Sequence, residues 1–227
     1  MLLQHSIAAI AIEDDGKTNI ERPSGGHIRH IATVFRTHQR SLLTAGTGQL
    51  FAQAIRNGRS IVIPLYGADV LGLGIGDIGL IMSIAGVLDM SMFYPAGIIM
   101  DRWGRKFAIV PSFTLQAIGM ALIPISGDFT ALLLSGSLMG FGNGLSSGAM
   151  MTFGADLAPR EGMSEFLSLW RLIGDGGHLS SPLVIGKIAD VVGLSPAAFV
   201  IAGIGLSAAG IFLFIVPETL QKPKPSD

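Results

Sequence analysis

Long apolar runs recur at even spacing along this chain, and no other feature restricts its fold so severely. Residues 107–125, 129–155 and 196–216 contain no charged side chain, and residues 42–70, 78–100 and 166–189 contain only a few. A bilayer core takes roughly 20 apolar residues per helix, so these six stretches read as six membrane helices. Gly and Pro inside them argue against soluble helices but are tolerated in lipid. Composition agrees: 49% of residues are hydrophobic and 14% charged, against roughly 25% charged in soluble domains. Mean hydropathy is +0.58. The expected fold class is all-α membrane, with six transmembrane helices over residues 42–220.

Several function classes drop out. There is no Cys, which excludes disulfides, thiolate catalysis and Cys-ligated metals. A net charge of −1 gives no electrostatic case for nucleic acid. No metal-ligand spacing is visible, and no cofactor is expected.

Loop charges set the orientation. Arg36 and Arg40 precede the first span, Arg102, Arg105 and Lys106 follow the second, Arg160 follows the fourth, and Lys222 and Lys224 follow the sixth. The alternate loops, 71–77, 126–128 and 190–195, carry no Lys or Arg. Both termini are therefore expected in the cytoplasm. Residues 1–41 read as a largely unstructured cytoplasmic lead-in, with at most a frayed helix, and 221–227 as a short tail. The start lacks a basic segment and a small-residue cleavage site, so it is not read as a signal peptide.

The string Gly97-Ile-Ile-Met-Asp101-Arg102-Trp-Gly104-Arg105-Lys106 sits at the junction of spans two and three. Gly97 suits close helix approach, Gly104 a tight turn, and Asp101 a charge-assisted bond or a helix N-terminus. The string resembles the G-x-x-x-D-R-x-G-R-K signature of the major facilitator superfamily. Val216-Pro217-Glu218-Thr219-Leu220, just past the sixth span, looks like the P-E-T ending of many members. Gly177, Pro182 and Gly186 match part of the G-x-x-x-G-P-x-x-G-G pattern of proton-coupled drug antiporters, whereas Ser181 and Ile185 replace its glycines.

The resemblance covers roughly residues 36–224 and implies the second six-helix half of a twelve-helix carrier. It also implies a cytoplasmic latch built on Gly97, Asp101, Arg102, Gly104, Arg105 and Lys106. The implied activity is secondary transport of a small solute by alternating access, as proton-coupled efflux across the inner membrane. A half-carrier of this kind is expected as a truncated product, paired with a second six-helix half, or as a homodimer in the lipid bilayer.

Ionisable groups at membrane depth are costly and usually face a cavity or a partner. Gln49, Gln53 and Arg56 share one helix face at i, i+4, i+7, with Arg59 one turn on. Asp89 lies near the middle of span two, and Arg171 and Asp175 stand at i, i+4 in span five, where they can pair. These seven residues are the candidate substrate path, with Asp89 or Asp175 a candidate proton carrier. The bland reading makes them structural pairs: Arg171 with Asp175, and Asp89 with Arg56 or Arg59.

Gly136, Gly140, Gly144 and Gly148 form an i+4 stripe along span four, suited to close helix packing. The same stretch contains Gly144-Leu-Ser146-Ser-Gly148, formally G-x-S-x-G. It opens an alternative of an intramembrane serine protease with Ser146 or Ser147 as nucleophile and His178 as base. A non-transporting membrane scaffold is a third reading. Gly74-Ile-Gly76-Asp-Ile-Gly79 fits G-x-G-x-x-G but lacks a surrounding βαβ unit, so no dinucleotide is expected.

Overall fold

The computed structural model describes residues 26–220, and those residues contain helices and turns but no strand. Eight α-helices run in order: α1 (Gly26–Leu65), α2 (Ile75–Ser91), α3 (Phe93–Arg102), α4 (Arg105–Leu122), α5 (Phe129–Ser146), α6 (Ala149–Leu157), α7 (Met163–Val192) and α8 (Leu194–Gly210). Tyr66–Val70 and Ile211–Ile215 continue α1 and α8 as single π turns, and Ile123–Ile125 continues α4 as a 3-10 turn. Helices α2 and α3 meet at Met92, and α5 and α6 meet at Ser147 and Gly148, so the eight helices form six rods. Each boundary has a local cause. Asp128 caps α5 by accepting from the Ala131 N–H at 2.8 Å, and Gly104, Gly162 and Gly193 turn the chain with positive φ.

Three rods, Ile75–Arg102, Arg105–Ile125 and Leu194–Ile215, are long and apolar enough to cross a membrane by length and composition. The rods built on α1 and α7 carry several ionisable residues at depth, among them Arg56, Arg59, Arg171 and Asp175. Residues 26–41, expected within an unstructured lead-in, are helical and continuous with α1 across a kink at His38 (φ −111°, ψ 18°). The reason is a small apolar contact. Val34 and Leu42 are buried against Phe166, and the His38 ring meets Phe166 edge-on at 6.0 Å. The expected features within 1–25 and 221–227 lie outside the described residues.

Helix α1 packs on α7 and α8, α4 lies against α5 and α8, and α2 docks on α5. Phe113, Phe153 and Phe212, all fully buried, knit the centre. Phe113 stacks on Phe212 at 6.2 Å and Phe153 meets Phe212 edge-on at 5.6 Å. The α2–α5 contact is made by matched i+4 rows. Gly136 faces Ile81, a Cβ on Gly140 would fall on the Ala85 carbonyl, and one on Gly144 would fall on the Asp89 carbonyl. Gly148, the fourth member of the expected stripe, stands in the α5–α6 break, where a Cβ would meet only Met100 Cε at 3.9 Å.

Polarity is turned inside out relative to a water-soluble bundle. Phe214 is 83% exposed and Tyr94 80%, while the side chains of Arg59 and Asp89 are each only 14% exposed. A broad apolar exterior over a charged interior is stable when the surrounding solvent is hydrocarbon.

Candidate functional site: a polar cleft and a charged junction

Helix α1 carries its polar residues into a cleft of about 630 Å³ lined by Gln49, Gln53 and Arg56 of α1, Met150 and Met151 of α6, and Trp170, Arg171 and Asp175 of α7. Five of the seven predicted path residues thus share one wall system. The expected local pair is not formed: among the described residues, no ion pair joins Arg171 to Asp175, and both are exposed to the cleft side of α7. The remaining two, Arg59 and Asp89, meet away from that lining, between α1 and α2, with Arg59 Nη2 3.5 Å from Asp89 Oδ2. Asn143 of α5, which sequence reasoning did not single out, donates its Nδ2 to the same Asp89 oxygen at 2.7 Å. Arg59 Nε and Nη1, Asp89 Oδ1 and Asn143 Oδ1 are buried without a hydrogen-bond partner. The cluster is therefore only half satisfied, a condition that costs free energy and leaves capacity for a proton or a water.

Arg56 takes a different route from Arg59. Its Nη2 donates to the Ser146 carbonyl at 2.8 Å and to Ser146 Oγ at 2.6 Å. Ser112 donates to Ser146 Oγ at 2.6 Å, and Gln116 Nε2 donates to Ser112 Oγ at 3.1 Å. The guanidinium also lies over the Phe113 ring, 5.5 Å from its centroid. This buried polar chain ties α1, α5 and α4 together. It also tells against the serine-protease alternative at Ser146, whose side chain is fully buried and whose hydroxyl is held by two donors. No hydrogen bond among the described residues joins the exposed His178 to Ser146 or Ser147.

At the α3–α4 junction, Arg105 donates through Nη1 to Asp101 Oδ1 at 2.9 Å and through Nε to Asp156 Oδ2 at 3.0 Å. Thr219 Oγ1 donates to the same Asp156 oxygen at 3.0 Å. Glu218 sits over the start of α4 and accepts from the backbone N–H groups of Arg105 (2.9 Å) and Lys106 (3.0 Å). The Lys106 ammonium donates to the Leu213 carbonyl at 3.1 Å. Partial burial pushes the Glu218 carboxyl up, but the backbone donors of Leu220, Lys106, Arg105 and Thr219 together outweigh it and hold it below the ordinary carboxylate range.

Gly104 makes this cap possible, because at φ +127° a Cβ would lie 2.6 Å from Glu218 Oε2. Two motif residues behave differently from expectation. A Cβ added to Gly97 would have nothing within 4 Å, so no other helix among the described residues approaches it. Arg102 is exposed and makes none of the junction's hydrogen bonds. Asp156 and Glu218 carry the contacts instead. Neither is visible as a partner until α6 and the P-E-T segment are folded against α4.

A family model for the Major Facilitator Superfamily matches residues 46–227. The chain belongs to the Major Facilitator Superfamily. Its relatives in this superfamily include an uncharacterized MFS-type transporter of Mycobacterium tuberculosis, 27% identical over 160 residues (70% of this chain and 36% of the relative). Another is the quinolone resistance protein NorA of Staphylococcus aureus, 27% identical over 166 residues (73% and 41%).

Among solved structures, the chain superposes on a peptide transporter POT in complex with alafosfalin at TM-score 0.67 and 22% identity, covering 77% of this chain and 38% of that one. A POT family transporter in complex with 5-aminolevulinic acid gives TM-score 0.68 and 19% identity, with 78% and 38% covered. These structures share the superfamily's helical fold. The chain thus spans less than half the length of the relatives it matches. Membership makes it an integral membrane protein of a transporter family.

Proposed function

We propose that this chain is one six-helix half of a carrier that exports a small solute by alternating access, driven by protons. The carrying observation is the cleft lined by Gln49, Gln53, Arg56, Arg171 and Asp175 inside an apolar-coated bundle. Carriers of this kind bind solute between structural repeats near the bilayer midplane, so the open cleft is half of such a site. Its other wall is a second six-helix unit, whether an adjoining stretch of the same protein, a separate polypeptide or another copy of this chain. The Arg59–Asp89–Asn143 cluster supports proton coupling, since a carboxylate shared between a cation and a neutral amide can exchange a proton for a change in pairing. Likeness to a quinolone resistance protein supports outward transport of an aromatic drug-like solute. The loop-charge asymmetry supports six spans with both termini in the cytoplasm of an inner membrane.

The test is reconstitution of the chain in proteoliposomes under a pH gradient, with a fluorescent quinolone as solute. Quinolone flux coupled to collapse of the gradient is expected, rising more than linearly with protein density when the second unit is another copy. Equal flux with and without the gradient overturns the proton-driven reading, and unchanged coupling in Asp89→Asn overturns the proton role of Asp89. Absence of flux at every density, and with the co-expressed upstream half of a relative, overturns transport itself.

A further inference from the structure

Two neighbouring residues of α1 hold the backbone of two other helices at points where the helical hydrogen-bond ladder is open. Pro182 has no N–H, so the carbonyl of His178, four residues earlier in α7, loses its intrahelical partner. Asn57 Nδ2 donates to that carbonyl at 2.7 Å. The second opening is the α5–α6 break, where Ser147 and Gly148 leave the regular helix. There Arg56 Nη2 donates to the Ser146 carbonyl at 2.8 Å. An unpaired carbonyl within lipid is unfavourable, since no water reaches it, so both donors answer a real deficit. Close approach of α1 and α7 makes the reach possible, because a Cβ on Gly177 would fall on the Leu50 carbonyl.

The two openings bracket the cleft. Every lining residue outside α1 lies between them: Ser147, Met150 and Met151 after the first, and Ser164 through Asp175 before the second. The far end of this hairpin is tied at Asp156 to Arg105 and Thr219. We infer that Arg56 and Asn57 are positioning residues that hold the open carbonyls at the two ends of the cleft wall, residues 147–177. In this arrangement the wall turns about α1 as one body while its tip is held or released at Asp156. The inference draws its purpose from the transport reading, but the contacts stand without it.

A mutant cycle tests it, because Pro182→Ala restores at position 182 the N–H donor that the His178 carbonyl lacks and so makes Asn57 redundant. The chain has no Cys, so spin labels can be placed on Glu161→Cys at the hairpin tip and Phe214→Cys on the end of α8. Distances are then read by electron–electron double resonance on the full chain in lipid nanodiscs. Asn57→Ala should shift the balance of the distance distribution by roughly fivefold, the equivalent of one neutral hydrogen bond, and Asn57→Gln should shift it less. In the Pro182→Ala background, Asn57→Ala should have no effect. An Asn57→Ala chain recovered folded only in that background gives the same support. An unchanged distribution in Asn57→Ala, an equal shift in both backgrounds, or loss of folding in both overturns the inference. No flux from the unmutated chain would defeat the transport reading and leave this cycle decisive for the clamp.

Discussion

Asp89 is the residue on which charge, burial and contact converge. It faces Arg59 at 3.5 Å and Asn143 at 2.7 Å, and Arg56 lies three residues before Arg59 on the facing helix. Removing one partner of a buried pair leaves an uncompensated charge and typically costs about 3–5 kcal/mol. Arg59→Ala is therefore expected to lower the thermal unfolding midpoint of the detergent-solubilised chain, and Arg59→Met with Asp89→Leu to recover much of the loss. Asp89→Asn should keep the fold and abolish proton coupling, read as gradient-independent flux in proteoliposomes. Recovery of coupling in the Met/Leu pair would sink the proton role of Asp89. Sequence spacing placed Asp89 at membrane depth. It left open whether Arg56 or Arg59 answers it, because both lie on the same stretch of α1 and only the packing of α2 on α5 selects Arg59.

The α3–α4 junction carries its own predictions at the scale of elements. Gly104 adopts φ +127°, ψ 161°, a region essentially restricted to glycine and costing about 1–3 kcal/mol for other residues. Gly104→Ala should destabilise by at least that amount and release Glu218 from α4, measurable as faster amide exchange at Arg105 and Lys106. The pH dependence follows from the lowered Glu218 pKa. A carboxyl whose folded value lies below its unfolded one contributes fully above the ordinary value of about 4.3. That contribution is lost as pH falls through the lower folded value. Glu218→Gln should therefore weaken the junction at neutral pH and flatten its acid loss.

The α2–α5 contact makes a second contrast at this scale. Gly140→Ala and Gly144→Ala push a methyl onto the carbonyls of Ala85 and Asp89 and should cost about 1–3 kcal/mol each, whereas Gly148→Ala makes only an ordinary contact with Met100 Cε and should be nearly neutral. Equal midpoints for Gly144→Ala and Gly148→Ala in thermal unfolding would contradict the matched-row packing. The glycine period was readable in the sequence. Which members touch a neighbour was not, because the stripe is interrupted at Ser147 and Gly148 by a helix break that no composition signal marks.

Across the whole molecule, large apolar side chains cover much of the exterior, the Arg59–Asp89 pair is enclosed, and a charged cluster gathers at the α3–α4 junction. Loop polarity then predicts which ends of the rods meet which side of the membrane. Single cysteines at Arg102 or Arg160 should react with a membrane-impermeant maleimide only in inside-out vesicles, and those at Gly72, Gly127 or Gly193 only in right-side-out ones. Reaction of both sets from one side would refute the six-span orientation.

What the sequence determined by itself follows from period and composition. Apolar runs of membrane length dictate helices, because in hydrocarbon each backbone polar group must bond within its own segment. The Gly97–Lys106 string and the P-E-T ending carried the superfamily resemblance, both being contiguous in the chain. The tertiary structure decided the partners. Asn143 on Asp89, Asp156 on Arg105, Glu218 on the start of α4, and Asn57 on the carbonyl opened by Pro182 all join residues far apart in sequence. A single sequence shows that a buried charge or an open carbonyl needs an answer. Only the packing of helices shows which side chain arrives within hydrogen-bond reach to supply it.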